Sequence, residues 1–239
     1  MQEPGGTFMG DYSLEGHTVR RYDGELSQLH LLVLEMGGLV QNQLMESLRA
    51  LKDLDIARAR KITMTDRKVD ALESRVDEQV ITLAARHAPL GRDLRMVLVV
   101  SKCVTELEQA GDEAVNIADK TLHLCSFEGI EPNRELILEI GKIAEQAVDM
   151  MRAALNAYDL LDEVHANEVI MKHRGLELKF QSELHRLVSL KVHDSRIVSQ
   201  LVDIALIAKS LEAIGRHAKT IAEHVIFYIR GDDIRHSNV

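Results

Sequence analysis

A chain of 239 residues, 46% of them hydrophobic, is long enough for one large core or two ordinary ones. Only 3% of it is aromatic, with no Trp and three Pro, and strong helix formers dominate, which excludes a typical sheet protein and favours an all-α one. The formal net charge of −9 excludes a basic nucleic-acid footprint and leaves metal cations, basic protein patches or simple solubility as its meaning.

Residues 1–20 carry Gly5, Gly6, Gly10 and Gly16 among scattered charges, with no apolar segment of the kind a signal peptide needs, and are expected to be disordered. Apolar residues then recur at helical spacing in six blocks near 21–52, 56–86, 91–125, 134–158, 163–190 and 195–230. The most apolar stretch, 29–40, is interrupted by His30, Glu35, Gly37 and Gly38, too short and too polar to span a bilayer. Asp55, Asp162 and Asp194 stand where N-caps are needed, and Pro89 with Gly91 closes the second block. The run Gly129, Ile130, Glu131, Pro132, Asn133 marks the boundary between halves. Cys103 and Cys125 have no metal-finger or redox spacing; two buried free thiols suit a reducing, cytoplasmic setting.

The halves are copies. A shift of 107 superposes Leu48 on Leu155, Ala50 on Ala157, Leu54 on Leu161, Asp55 on Asp162 and Ala59 on Ala166. A shift of 104 then places Leu107, Glu108, Gly111, Ala114, Ile117 and Ala118 on Leu211, Glu212, Gly215, Ala218, Ile221 and Ala222. The expected architecture is two tandem antiparallel three-helix bundles, 21–128 and 129–230, followed by a tail at 231–239.

On the second helix Asp66, Asp70, Glu73 and Asp77 fall in one stripe, bordered by Val69, Leu72, Val76 and Val80. Glu108, Asp112 and Asp119 do the same on the third helix. Two readings compete. One is a solvated face. The other is a cation site, because like charges at i, i+4 repel by a few tenths of a kcal/mol and facing helices build metal sites from Glu and Asp. In the second copy His173 and Glu177 replace Asp66 and Asp70, while Glu212 and Arg216 replace Glu108 and Asp112. Arg216 is expected to pair with Glu212 and to leave that copy with weak or no metal binding. Gly37, Gly38, Gly111 and Gly215 lie within helices and read as close helix crossings, Gly111 and Gly215 above all, with a hinge as the sharper alternative. Catalytic signals are thin: there is no His-Glu-x-x-His and no phosphate loop, and lone histidines such as His87 and His217 read as surface or capped residues.

Several motifs together resemble the PhoU family: Met36-Gly37-Gly38-Leu39-Val40, Asp66-x-x-x-Asp70, Asp93-Leu94-Arg95, the run from Leu107 to Ala118, the second Leu211-Glu212-Ala213-Ile214-Gly215, and the tail from Arg230 to His236. The resemblance covers about 25–236. It implies a non-enzymatic, often dimeric cytosolic adaptor that restrains phosphate uptake when phosphate is plentiful. Its partners would be the phosphate ABC transporter and the sensor histidine kinase of the phosphate regulon, so membrane association would be peripheral and partner-dependent. It further implies acidic-x-x-x-Asp motifs holding iron, zinc, manganese or magnesium. Arg216 and His173 depart from that acidic pattern, and Gln109 and Ala110 replace the usual arginine and isoleucine. The rival readings are a metal-dependent enzyme using the carboxylates and a purely structural helical scaffold.

Overall fold

The structure, a computed structural model, describes residues 20–190 and 194–232. The expected disordered start at 1–19 and most of the tail, 233–239, lie outside the described residues. Seven helices are described: α1 Arg20–Asp53, α2 Ile56–Thr65, α3 Arg67–His87, α4 Gly91–Leu124, α5 Arg134–Leu160, α6 Glu163–Ser189 and α7 Ser195–Arg230.

The seventh arises because the second block is interrupted at Asp66. The Asp66 N–H reaches Ile62 O at 3.3 Å, and Val69 N–H closes a tight turn on Asp66 O at 2.7 Å. The Asp66 backbone stays right-handed helical (φ −56°, ψ −38°), and Asp66 and Asp70 on either side of the break both act on Asp112, so the acidic stripe survives it.

The caps follow the sequence. Asp55 accepts from Arg58 N, Asp162 from Val164 N and His165 N, and Asp194 from Arg196 N. Asn133, expected only as a breaker, also caps α5 by accepting from Leu136 N. The preceding helices end in left-handed Leu54 (φ 54°) and Leu161 (φ 49°). Here the following amide bonds back five residues, Asp55 N to Ala50 O and Asp162 N to Ala157 O, the bond that normally recruits glycine.

Each half is a three-helix bundle, α1 with α2/α3 and α4, then α5 with α6 and α7. The bundles fuse: α1 packs on α4 and α5, and α7 packs on α4 and α5, closing a ring of four helices. One continuous core runs through it, from Val33, Met36 and Val40 through Val100, Cys103 and Leu107 to Met150, Met151, Tyr158, Ile207 and Leu211. Burial of Cys103 pushes its thiol well above the ordinary cysteine range, while Cys125 is half-buried and both remain free. Gly37 lets α1 approach α5: a Cβ there would stand 2.5 Å from a Leu155 methyl. Gly38 has open space around it and is not a crossing.

Polar contacts fix the register between halves. Arg92 Nε donates to Tyr228 Oη at 3.0 Å, His217 Nδ1 lies 2.7 Å from Glu106 Oε2, and His123 Nδ1 lies 2.5 Å from Asp203 Oδ2. These pairs run α4 and α7 antiparallel. His217 is therefore an interior residue with a carboxylate partner, not the surface histidine its isolation in sequence suggests. His87 is half-buried and pairs with Glu25 at 3.0 Å.

Candidate metal centre

The acidic stripe of α2/α3 and the acidic pair of α4 meet along one groove. Asp66 is held from a third helix: Gln43 Nε2, on the buried side of α1, donates to Asp66 Oδ1 at 2.8 Å. Gly111 sits opposite. A Cβ on it would stand 3.5 Å from Val69 Cγ1, 3.6 Å from Asp66 Oδ1 and 3.7 Å from Gln43 Oε1, ordinary contact distances that leave room rather than a jammed crossing.

Electrostatics show how far the carboxylates share one field. Burial, followed by the charges of Asp112, Glu73, Asp70 and Asp66, lifts Glu108 to about 7. Burial and then Asp66 and Asp70 raise Asp112, partly offset by a hydrogen bond with Glu108. Burial and then Asp77, Asp70 and Asp112 raise Glu73. The charges that act most strongly on Glu108 are all negative. Asp66, Asp70, Glu108 and Asp112 thus share one field, which Glu73 joins, while Asp119 lies exposed farther along α4. Among the described residues no three His, Cys, Asp or Glu side chains stand close enough to form a ready-made metal site. The donor set is all hard oxygen, strongly self-repelling and at the solvent boundary, which fits a hard cation.

The second groove is built differently. Glu212 is buried, with Lys209 Nζ 2.5 Å from Oε2 and His173 Nε2 3.8 Å from Oε1. The His173 ring, then Lys209 and Arg216, hold Glu212 down at about 2 against the effect of burial. The cation in contact is Lys209, one turn before Glu212, and not the expected Arg216, which is exposed and acts only through space. Glu177 points elsewhere, accepting from Gln181 at 3.4 Å. Gly215 is a true crossing: a Cβ would fall 2.0 Å from a Leu176 methyl.

Sequence reasoning missed Gln43 and Lys209. Lys209 was legible as an i, i+3 partner of Glu212, standing where the first copy has Thr105. Gln43 was not, because its counterpart Met150 is a plain core residue and only the packing of α1 brings its amide to Asp66.

Seven described helices in two copies, each copy pairing a carboxylate-bearing helix with a glycine-notched one, define a duplicated helical-bundle protein whose groove chemistry differs between copies. The PhoU domain model matches residues 33–121 and 137–225, and the chain belongs to the PhoU family. It is 34% identical over 224 residues to the phosphate-specific transport system accessory protein PhoU homolog of Pseudomonas putida, covering 94% of this chain and 86% of that one. It is 26% identical to the Escherichia coli K12 phosphate-specific transport system accessory protein PhoU over 95% of this chain and 93% of the relative. The crystal structure of PhoU from Pseudomonas aeruginosa superposes with a TM-score of 0.83 at 33% identity, covering 88% of this chain and all of that one. The phosphate transport system regulatory protein PhoU from Streptococcus pneumoniae shares the fold, at a TM-score of 0.80 and 21% identity.

Proposed function

We propose that this chain is a non-enzymatic, cytoplasmic regulator of phosphate uptake that bridges the phosphate ABC transporter and the sensor histidine kinase of the phosphate regulon and acts as a homodimer. The observation that carries the reading is the match of both PhoU domains across most of the chain, together with near full-length relatives named as accessory proteins of phosphate-specific transport. No described helix is long and apolar enough to cross a membrane, and in this reading contact with membrane proteins falls to the helical surface. The His–carboxylate pairs His217–Glu106 and His123–Asp203 hold α4 to α7.

A metal ion is part of this proposal. Asp66, Asp70, Glu108 and Asp112 would hold a divalent or trivalent metal ion (iron, zinc, manganese or magnesium), which when bound would offset part of the groove's negative charge. Gln43 orients Asp66, and Gly111 keeps the floor of the groove open. Glu108 must lose its proton to serve, so uptake is expected to strengthen as pH rises through about 7. In the second groove Lys209 already neutralises Glu212, which supports metal binding by the first copy alone.

The test is affinity capture of the tagged full chain from native membranes of cells grown at high and at low phosphate. Transporter and kinase subunits are expected in the high-phosphate sample. Their absence from both samples would overturn the adaptor reading.

A further inference from the structure

Both copies also carry an exposed apolar patch at the far end of the same groove. In the first copy it consists of Ile81, Leu94 and Leu98, which are 40–68% exposed, and in the second of Val188, Val198 and Val202, 44–79% exposed. These are equivalent residues. Ile81 and Val188 are related by the shift of 107, and Leu94 with Val198 and Leu98 with Val202 by the shift of 104.

Register places each set together. Val69 faces Gly111, and Leu176 faces Gly215. Ile81 lies 12 residues beyond Val69 and Leu98 lies 13 before Gly111; Val188 lies 12 beyond Leu176 and Val202 lies 13 before Gly215. The antiparallel partners are therefore level in both copies. Ile81 continues the acidic stripe of α3, and Leu94 and Leu98 continue that of Glu108 and Asp112 on α4, within about 80° at 100° per residue. Along these stripes the charges have diverged, Asp77 to Leu184 and Asp112 to Arg216, while the exposed aliphatic side chains have kept their character. Solubility would favour losing them, so an occupant common to both copies accounts for their retention.

Area restricts that occupant. Three partly exposed aliphatic side chains make a patch of at most roughly a few hundred Å², well under the about 800 Å² per partner of a stable interface. One patch is too small; the two together approach what is needed. They sit at opposite ends of the antiparallel α4–α7 pair, on the order of 40 Å apart at 1.5 Å rise per residue. We infer that the patches form a bivalent docking surface for a two-fold symmetric protein that presents the same short aliphatic segment once from each of its two subunits. One chain then engages one partner dimer, and the internal duplication matches the partner's symmetry.

This inference rests on the adaptor reading above. The probes are the purified intact phosphate transporter and the full-length sensor kinase, each in nanodiscs, with binding of the full chain followed by interferometry and mass by sedimentation. The variants are Leu98→Glu, Val202→Glu and, as a control, Leu160→Glu, an equally exposed leucine whose counterpart is Asp53. With at least one probe, wild type is expected to bind at one chain per two partner subunits. Leu98→Glu and Val202→Glu should each weaken binding by about 10²-fold or more, the loss of avidity when one arm of two is removed, while Leu160→Glu changes nothing. Helicity and melting temperature should be unchanged in all three. An effect from only one patch, or a stoichiometry of one chain per partner subunit, overturns bivalency. A shift in the chain's own mass with partner binding intact assigns the patches to a second copy and overturns the inference. Wild-type binding that both patch variants retain overturns this inference alone, and absence of wild-type binding to either probe overturns the adaptor reading with it.

Discussion

Gly111 and Gly215 occupy equivalent positions, yet their surroundings ask different things of them. At Gly215 a Cβ would fall 2.0 Å from a Leu176 methyl, so Gly215→Ala is expected to destabilise by about 1–3 kcal/mol through overpacking. At Gly111 the nearest atoms lie at 3.5 Å or more, and Gly111→Ala is expected to be neutral or to stabilise by up to about 1 kcal/mol through helix propensity. Urea denaturation of both variants checks the pair; equal costs would contradict the difference. The two central carboxylates also differ in sign. Glu108 is raised to about 7, so the metal-free folded chain binds its proton more tightly than the unfolded chain does. That contribution to stability is present at acid pH and is lost as pH rises from about 4.5 through 7. Glu212 is depressed to about 2, so its contribution is present above about 4.5 and is lost as pH falls toward 2. At pH 8 and without metal, Glu108→Gln is expected to stabilise by on the order of 1 kcal/mol after allowance for solvent screening, and Glu212→Gln to destabilise by about 2 kcal/mol. Melting curves across pH would read both; a destabilising Glu108→Gln, or a Glu212→Gln that stabilises, would refute the assignment. That the glycines sit on packing faces was legible from their spacing. That one notch is tight and the other roomy depends on Leu176 facing one and Val69 the other, a matter of side-chain shape that no periodicity encodes.

At the scale of elements, the acidic stripes were legible because i, i+4 spacing fixes a helix face whatever the tertiary fold. The break at Asp66 was not legible, since no glycine or proline marks it and the residue keeps helical dihedrals. The pairing in the second groove was half legible. Arg216 is four residues from Glu212, but the helix turns it to solvent, and Lys209 on the opposite turn takes the contact. This changes what a gain of binding requires. Arg216→Asp with His173→Asp alone leaves Lys209 in place and is expected to add little metal, whereas adding Lys209→Thr, the residue of the first copy, should raise metal content toward two sites per chain. Glu108→Ala with Asp112→Ala should remove most wild-type metal with helicity intact. Metal analysis after identical purification decides; wild-type metal that survives loss of Glu108 and Asp112 would place the site elsewhere.

For the molecule as a whole, the repeat gave two bundles but not their fusion, because the apolar faces of α1, α4, α5 and α7 are too wide for a single bundle and the sequence does not say against what the surplus packs. It packs across the halves: Gly37 on Leu155, His30 stacked on Tyr158 at 4.6 Å, and His217 on Glu106. A fragment ending at the boundary near residue 128 is therefore expected to lack cooperative unfolding, while the full chain melts in one transition; a separately folded first half would contradict a shared core. The role in phosphate regulation is tested most directly in cells. Deletion of this chain, followed by expression of phosphate-starvation genes and phosphate uptake in phosphate-rich medium, should release both, and the wild-type chain supplied in trans should restore restraint. Starvation genes that stay silent and uptake that stays unchanged in the deletion strain would contradict the account.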